Sequence, residues 1–113
     1  MKIQTEFTED HQAKVTVEFE TEVLETYERK AARQLAKETR IPGFRPGKAP
    51  YNMVVNYVGE ETIMNNAIDL MVDRFYPEVV KEAGIEPSGP GALDDVKIED
   101  SVLFFFTIPL EPT

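Results

Sequence analysis

The sequence predicts an α+β fold in which an antiparallel sheet of about four strands carries helices on one face, giving two layers. Apolar residues alternate with polar ones near both ends of the chain and recur every three or four positions in its middle. Segments rich in proline and glycine separate these regions. At 113 residues, the chain is expected to form a single domain over residues 1–113 that buries a core without disulfides.

Two strands and a long helix are predicted first. The strands cover residues 3–8 and 13–20, where apolar side chains occupy every second position. The period changes at Thr21, a residue type that caps helices, which predicts a helix over residues 21–39. Its apolar stripe consists of Val23, Leu24, Tyr27, Ala31 and Leu35.

The remaining predicted elements are a short helix over residues 50–57, a longer helix over 60–83, and strands over 92–98 and 101–110. Pro50 suits the first position of the short helix, which is expected to direct Met53, Val54 and Tyr57 inward. The last strand is apolar on both faces. We favour a central strand whose second face is partly covered by loops, and the alternative is a surface that binds unfolded chains or a neighbouring domain.

The composition excludes several classes of protein. The chain has 12 basic and 21 acidic residues, a net charge of −9 and no cysteine. These values argue against a generic nucleic-acid coat, a disulfide scaffold and a thiolate metal site, and they fit a reducing compartment. The longest apolar run, residues 102–106, is far shorter than the roughly 20 residues of a membrane-spanning helix.

No catalytic constellation is evident. The one histidine, His11, and the two serines, Ser88 and Ser101, are distant in sequence and lie outside any nucleophile motif. We therefore predict no catalytic residue, no metal site and no cofactor for this chain.

Positive charge is concentrated in residues 29–48, which carry +6, whereas the rest of the chain carries −15. The basic residues are Arg29, Lys30, Arg33, Lys37, Arg40, Arg45 and Lys48. Two ordinary effects explain the cations of the helix: cations late in a helix complement its dipole, and Glu25 is spaced to pair with Arg29. Neither effect explains why the positive charge continues into the loop that follows. A contact with acidic side chains or phosphates is the better explanation.

The loop over residues 41–50 contains three prolines and two glycines. Its glycine spacing departs from that of a P-loop and of a KH domain. Between Pro42 and Pro46, Phe44 lies beside Arg45 and either tucks onto the core or anchors a partner. Both readings stay open, although the prolines favour a loop already shaped for binding.

The run Gly43-Phe44-Arg45-Pro46-Gly47-Lys48-Ala49-Pro50 resembles the signature loop of the bacterial trigger factor family of ribosome-associated chaperones, with the pattern Gly-Phe-Arg-x-Gly-Lys-x-Pro. The order of elements also matches. By this resemblance, Phe44 and Arg45 occupy the docking positions, while Pro46 stands where many members have Lys. The ribosome-binding residues it implies are Gly43, Phe44, Arg45, Pro46, Gly47 and Lys48, supported by Arg33, Lys37 and Arg40.

The resemblance implies a cytoplasmic module that docks beside the nascent-chain tunnel exit of the large ribosomal subunit. Its partners would be an exit-rim ribosomal protein, ribosomal RNA and nascent polypeptides, with no membrane or DNA. Family members also have a peptidyl-prolyl isomerase domain, so the chain is expected to be a fragment without isomerase activity. One alternative is a free-standing RNA-binding α+β domain that uses the basic face. Another is chaperone action by the exposed side of the sheet.

Overall fold

The computed structural model, which describes residues 1–112, confirms the α+β class. The elements in chain order are β1 (Lys2–Phe7), β2 (Gln12–Phe19), α1 (Thr21–Glu38), α2 (Tyr51–Val58), α3 (Glu60–Ala83), β3 (Ala92–Ile98) and β4 (Val102–Pro109). All seven predicted elements are present, each within one residue of its predicted bounds.

The four strands form one antiparallel sheet in the order β1-β2-β4-β3. In the central ladder, Val17 lies opposite Phe104 and Val15 opposite Phe106, so these side chains share a face. Every second residue of β2 and β4 is buried, and these buried residues all lie on this face. The strict alternation therefore sets which face of the sheet forms the core.

The chain divides into two compact units. The sheet unit contains Met1–Thr21 and the chain from Arg74 onward, and the helical unit contains Glu22–Asp73. Helix α3 contributes its first part to the helical unit and its last part to the sheet unit.

Aromatic side chains build the core of the sheet unit. The Phe19 ring lies 5.0 Å from Phe75 and 5.1 Å from Phe104, and Tyr76 lies 5.7 Å from Phe106. The last part of α3 therefore covers the core face of the sheet, at ring separations that favour aromatic pairs.

Strand β4 is central in the sheet, as predicted, and its side chains on the second face are half-buried. Leu103 and Phe105 of β4 are half-buried there, and the Lys97 ammonium lies 5.6 Å from the centre of the Phe105 ring. Lys14 donates a 2.8 Å hydrogen bond to Thr107, which in turn donates to Asp94. The face is thus a mixture of polar contacts and single apolar side chains.

The core of the helical unit is built from Ala32, Ala36, Ile41, Val54 and Ile63. The prediction that Met53 and Tyr57 point inward is wrong, because their exposed fractions are 46% and 53%. Helix α2 is apolar on most of its circumference, but an element of eight residues buries only one side, here that of Val54.

Within residues 1–112, no helix is both long and apolar enough to cross a membrane.

Candidate functional site

Two consecutive β-turns shape the loop between α1 and α2. The Phe44 amide donates to the Ile41 carbonyl at 3.2 Å, and the Lys48 amide donates to the Arg45 carbonyl at 3.0 Å. Each turn has proline second and a glycine of positive φ third, with φ of 86° at Gly43 and 80° at Gly47. This combination defines type II turns, for which proline presets one angle and glycine accepts the other.

The loop is also tied to the end of α1. The Gly47 amide donates a 2.8 Å hydrogen bond to the carbonyl of Ala36, one of the last-turn carbonyls that a helix leaves without a partner of its own. A side chain at Gly47 would lie 3.3 Å from Cγ of Lys37, so glycine also permits this close approach. These contacts fix the loop to the helix that carries the cations.

The loop presents Phe44 and Arg45 side by side. Phe44 is 37% exposed, and Arg45 is exposed as well. With Arg40 and Tyr57, they line an open groove of about 700 Å³ within the helical unit. The phenyl ring is therefore available to a partner, which the sequence alone left undecided.

All seven basic residues of segment 29–48 are exposed. In the described part of the chain, Arg33, Lys37, Arg40, Arg45 and Lys48 form no ion pair. The expected pair of Glu25 with Arg29 is also not formed, and the Arg29 guanidinium instead lies 5.8 Å from the centre of the Tyr51 ring. The positive charge of this surface is thus largely uncompensated.

Helix α2 adds two aromatic side chains that the sequence analysis did not assign to the site. Tyr51 and Tyr57 are 37% and 53% exposed. Burial, followed by the charge of Glu28, raises the pKa of Tyr51 above its ordinary value. The only sequence signal for their exposure is the shortness of α2 beside its many apolar residues.

The arrangement has the features of a binding surface. Among residues 1–112, no group of three or more His, Cys, Asp or Glu side chains is placed to hold a metal ion. Exposed rings, exposed guanidinium groups and a loop fixed by backbone hydrogen bonds are instead the features of a preorganised contact.

Comparisons with known proteins point to one family. The sequence model of the family described as bacterial trigger factor protein (TF) matches residues 1–113. The trigger factor of Roseiflexus sp. (strain RS-1) is 34% identical over 114 residues, which cover 100% of this chain and 21% of the relative. That of Bacillus subtilis (strain 168) is 33% identical over 114 residues, which cover 99% and 27%. The chain thus spans about a quarter of the length of these relatives.

Solved structures agree with the fold. A structure of the trigger factor chaperone superposes with a TM-score of 0.84 at 23% identity, covering 100% of this chain and 27% of that chain. A trigger factor domain from Thermotoga maritima superposes with a TM-score of 0.69 at 25% identity, covering 88% of each chain. The four-stranded sheet with three helices is therefore shared with these proteins.

Proposed function

We propose that this chain, which belongs to the bacterial trigger factor family, docks on the large ribosomal subunit at the nascent-chain tunnel exit. The contacts would be made to an exit-rim ribosomal protein and ribosomal RNA in the cytoplasm. In this proposal, the chain is one ribosome-binding domain of a longer chaperone that assists the folding of newly made proteins, and it has no isomerase activity of its own.

The adjacent exposure of Phe44 and Arg45 on a fixed loop carries this proposal. Binding normally costs the entropy of ordering loops and side chains, and a loop held by two type II turns has already lost most of that freedom. The phenyl ring would fill an apolar notch, while the guanidinium would pair with a carboxylate or phosphate. A large apolar ring beside an arginine is a common hot-spot composition.

Charge gives the proposal its second support. Arg33, Lys37, Arg40 and Lys48 are exposed, and they form no ion pair with another described residue. Contacts between exposed charges are screened over about 8 Å at physiological ionic strength. We therefore expect binding that weakens steeply as salt is raised.

Co-sedimentation with intact large subunits at low and high salt tests the docking loop. The variant Phe44→Ala with Arg45→Ala is expected to lose at least about tenfold in affinity, because both anchors are removed. A matched control is Lys2→Ala with Phe7→Ala, which removes an exposed cation and a 63% exposed ring from β1. Equal binding by both variants, or unchanged binding by the first, contradicts the proposal.

A free-standing RNA-binding domain is the second candidate. The exposed rings of Tyr51 and Tyr57 favour it, since bases stack on aromatic side chains beside cations. The two candidates differ in their preferred ligand. Affinity for naked ribosomal RNA equal to that for whole subunits supports the second candidate, and a clear preference for subunits supports docking.

A further inference from the structure

A separate pocket in the helical unit is lined by residues of α1 and α2 and by Gly47 and Ala49 of the loop between them. Its volume is about 210 Å³. Ala32 and Ala36 of α1 and Val54 of α2, all buried, contribute apolar atoms to its wall. Arg29, Arg33 and Tyr51 provide its polar groups.

The size of the pocket limits what it can hold. Sites that bury a small-molecule ligand usually have volumes of roughly 300–1,000 Å³. A pocket of about 210 Å³ is smaller and suits a single side chain. Two buried alanines, Ala32 and Ala36, line it, and their small side chains leave this space open.

The positive charge of the pocket indicates which kind of residue the partner has next to the inserted side chain. Arg29 and Arg33 are one helical turn apart and exposed, and Arg33 forms no ion pair within residues 1–112. Guanidinium groups pair with carboxylates through two parallel hydrogen bonds. An apolar side chain in the pocket with a carboxylate beside it would satisfy both parts of the lining.

We propose that this pocket binds an acidic segment of a protein partner, with one apolar side chain inserted and an adjacent carboxylate paired to Arg29 and Arg33. The segment would belong to a protein of the large ribosomal subunit, so this inference rests on the docking function proposed above. RNA is disfavoured as the occupant because a base would stack on the Tyr51 ring, and one face of that ring is already occupied by Arg29.

Two variants test the pocket on intact large subunits. Arg33→Glu reverses a pocket charge, and Ala49→Leu fills the pocket from a half-buried position on its lining. Each is expected to weaken binding by about tenfold. The control Lys30→Glu makes the same charge change on α1 at an exposed residue outside the lining. Its effect on the electrostatic field around the protein is expected to weaken binding by about twofold.

Thermal unfolding measured by circular dichroism checks that each variant is folded. Equal weakening by Arg33→Glu and Lys30→Glu would show a general charge effect and overturn the pocket proposal. So would full binding by a folded Ala49→Leu variant. A photo-crosslinking amino acid at residue 49 then identifies the occupant: crosslinks to a ribosomal protein support the proposal, and crosslinks to RNA alone, or none, overturn it.

A peptide titration separates failure of the pocket from failure of docking. The probe is the capped peptide Asp-Glu-Leu-Glu-Asp, followed through the NMR amide signals of Ala36 and Gly47. Shifts that are lost in Arg33→Glu, and with a peptide that has Gly in place of Leu, support the pocket even if the chain does not bind subunits. Absence of shifts at millimolar peptide overturns it even if docking through Phe44 is intact.

Discussion

Gly47 combines two requirements that only glycine meets at this point of the chain. Its φ of 80° belongs to the left-handed region, and an added side-chain carbon would lie 3.3 Å from Cγ of Lys37. Gly43 has a φ of 86°, but its position is open, with nothing within 4 Å of such a carbon. The two glycines therefore separate the cost of backbone strain from the cost of crowding against α1.

Alanine substitutions at these glycines are expected to follow an order. Gly43→Ala should lower the free energy of unfolding by about 1–2 kcal/mol through strain, and Gly47→Ala should lower it further through crowding. Gly89→Ala is the control, because its φ is not positive and its added carbon would make only an ordinary 3.8 Å contact with Pro109. Urea denaturation measures all three. Equal effects at Gly43 and Gly47 would show that Lys37 moves aside at no cost.

Glu28 gives the helical unit a pH-dependent stability. Burial, assisted by the charges of Glu25 and Glu60, raises the pKa of Glu28 above its ordinary value. The folded state then binds this proton more readily than the unfolded chain does. The resulting contribution to stability is present at pH values below the unfolded pKa and is lost as pH rises through the raised one.

Glu28→Gln is expected to stabilise the chain at pH 7 and to have no stabilising effect near about pH 3.5, where the carboxyl is protonated in both states. The gain at pH 7 should be only a few tenths of a kcal/mol, because solvent screens this partly exposed group. Thermal unfolding between these pH values measures it. The control is Glu86→Gln at an exposed position of the sheet unit. A gain that does not depend on pH would assign the effect to packing.

At the scale of the elements, the order and bounds of all seven helices and strands follow from local sequence patterns. The spacing of apolar residues, the capping residues and the Pro-Gly turns each depend on only a few neighbouring positions, so they can be recognised in the sequence. The inward orientation of Met53 and Tyr57 could not be predicted correctly, because it depends on which side of α2 meets the rest of the unit. The core roles of Ala32 and Ala36 were missed for the same reason.

The features of the candidate site likewise divide into those that local sequence patterns predict and those that they do not. The stiffness of the loop and the positive charge of segment 29–48 are evident from sequence, since prolines, glycines and cations report them directly. The hydrogen bond from Gly47 to Ala36 and the approach of Arg29 to Tyr51 join residues that are 11 and 22 positions apart. Such contacts result from folding and have no local pattern.

The prolines of the loop allow its rigidity to be tested as a property of the whole element. Pro46→Ala should leave both anchors in place while freeing the second turn in the unbound protein, so binding to large subunits is expected to weaken by about threefold. Pro90→Ala, at an exposed proline between α3 and β3, is the matched control. Both variants should lose about 0.4–1 kcal/mol of stability, since each frees the unfolded chain. If both bind equally well, rigidity at Pro46 does not contribute to docking.

At the scale of the whole molecule, the two signs of charge are segregated along the chain. Segment 29–48 carries +6 and the remainder −15. A polyanion such as ribosomal RNA attracts the first and repels the second, so the net charge of −9 disfavours unspecific adsorption while still permitting contact through the basic segment. The acidic remainder would therefore contribute selectivity for a specific docking site.

Neutralising part of the acidic surface should reduce this selectivity. The variant Glu82→Gln, Glu86→Gln, Glu99→Gln and Asp100→Asn changes four exposed residues and the net charge from −9 to −5. Affinity for naked ribosomal RNA is expected to rise about fivefold at low salt, whereas affinity for large subunits should change less, because the proposed contacts of Phe44 and Arg45 would contribute there. Exchanging Glu and Asp at the same four positions preserves the charge and should change neither affinity. An unchanged ratio of the two affinities in the neutralised variant would mean that the acidic surface plays no part in selecting the docking site.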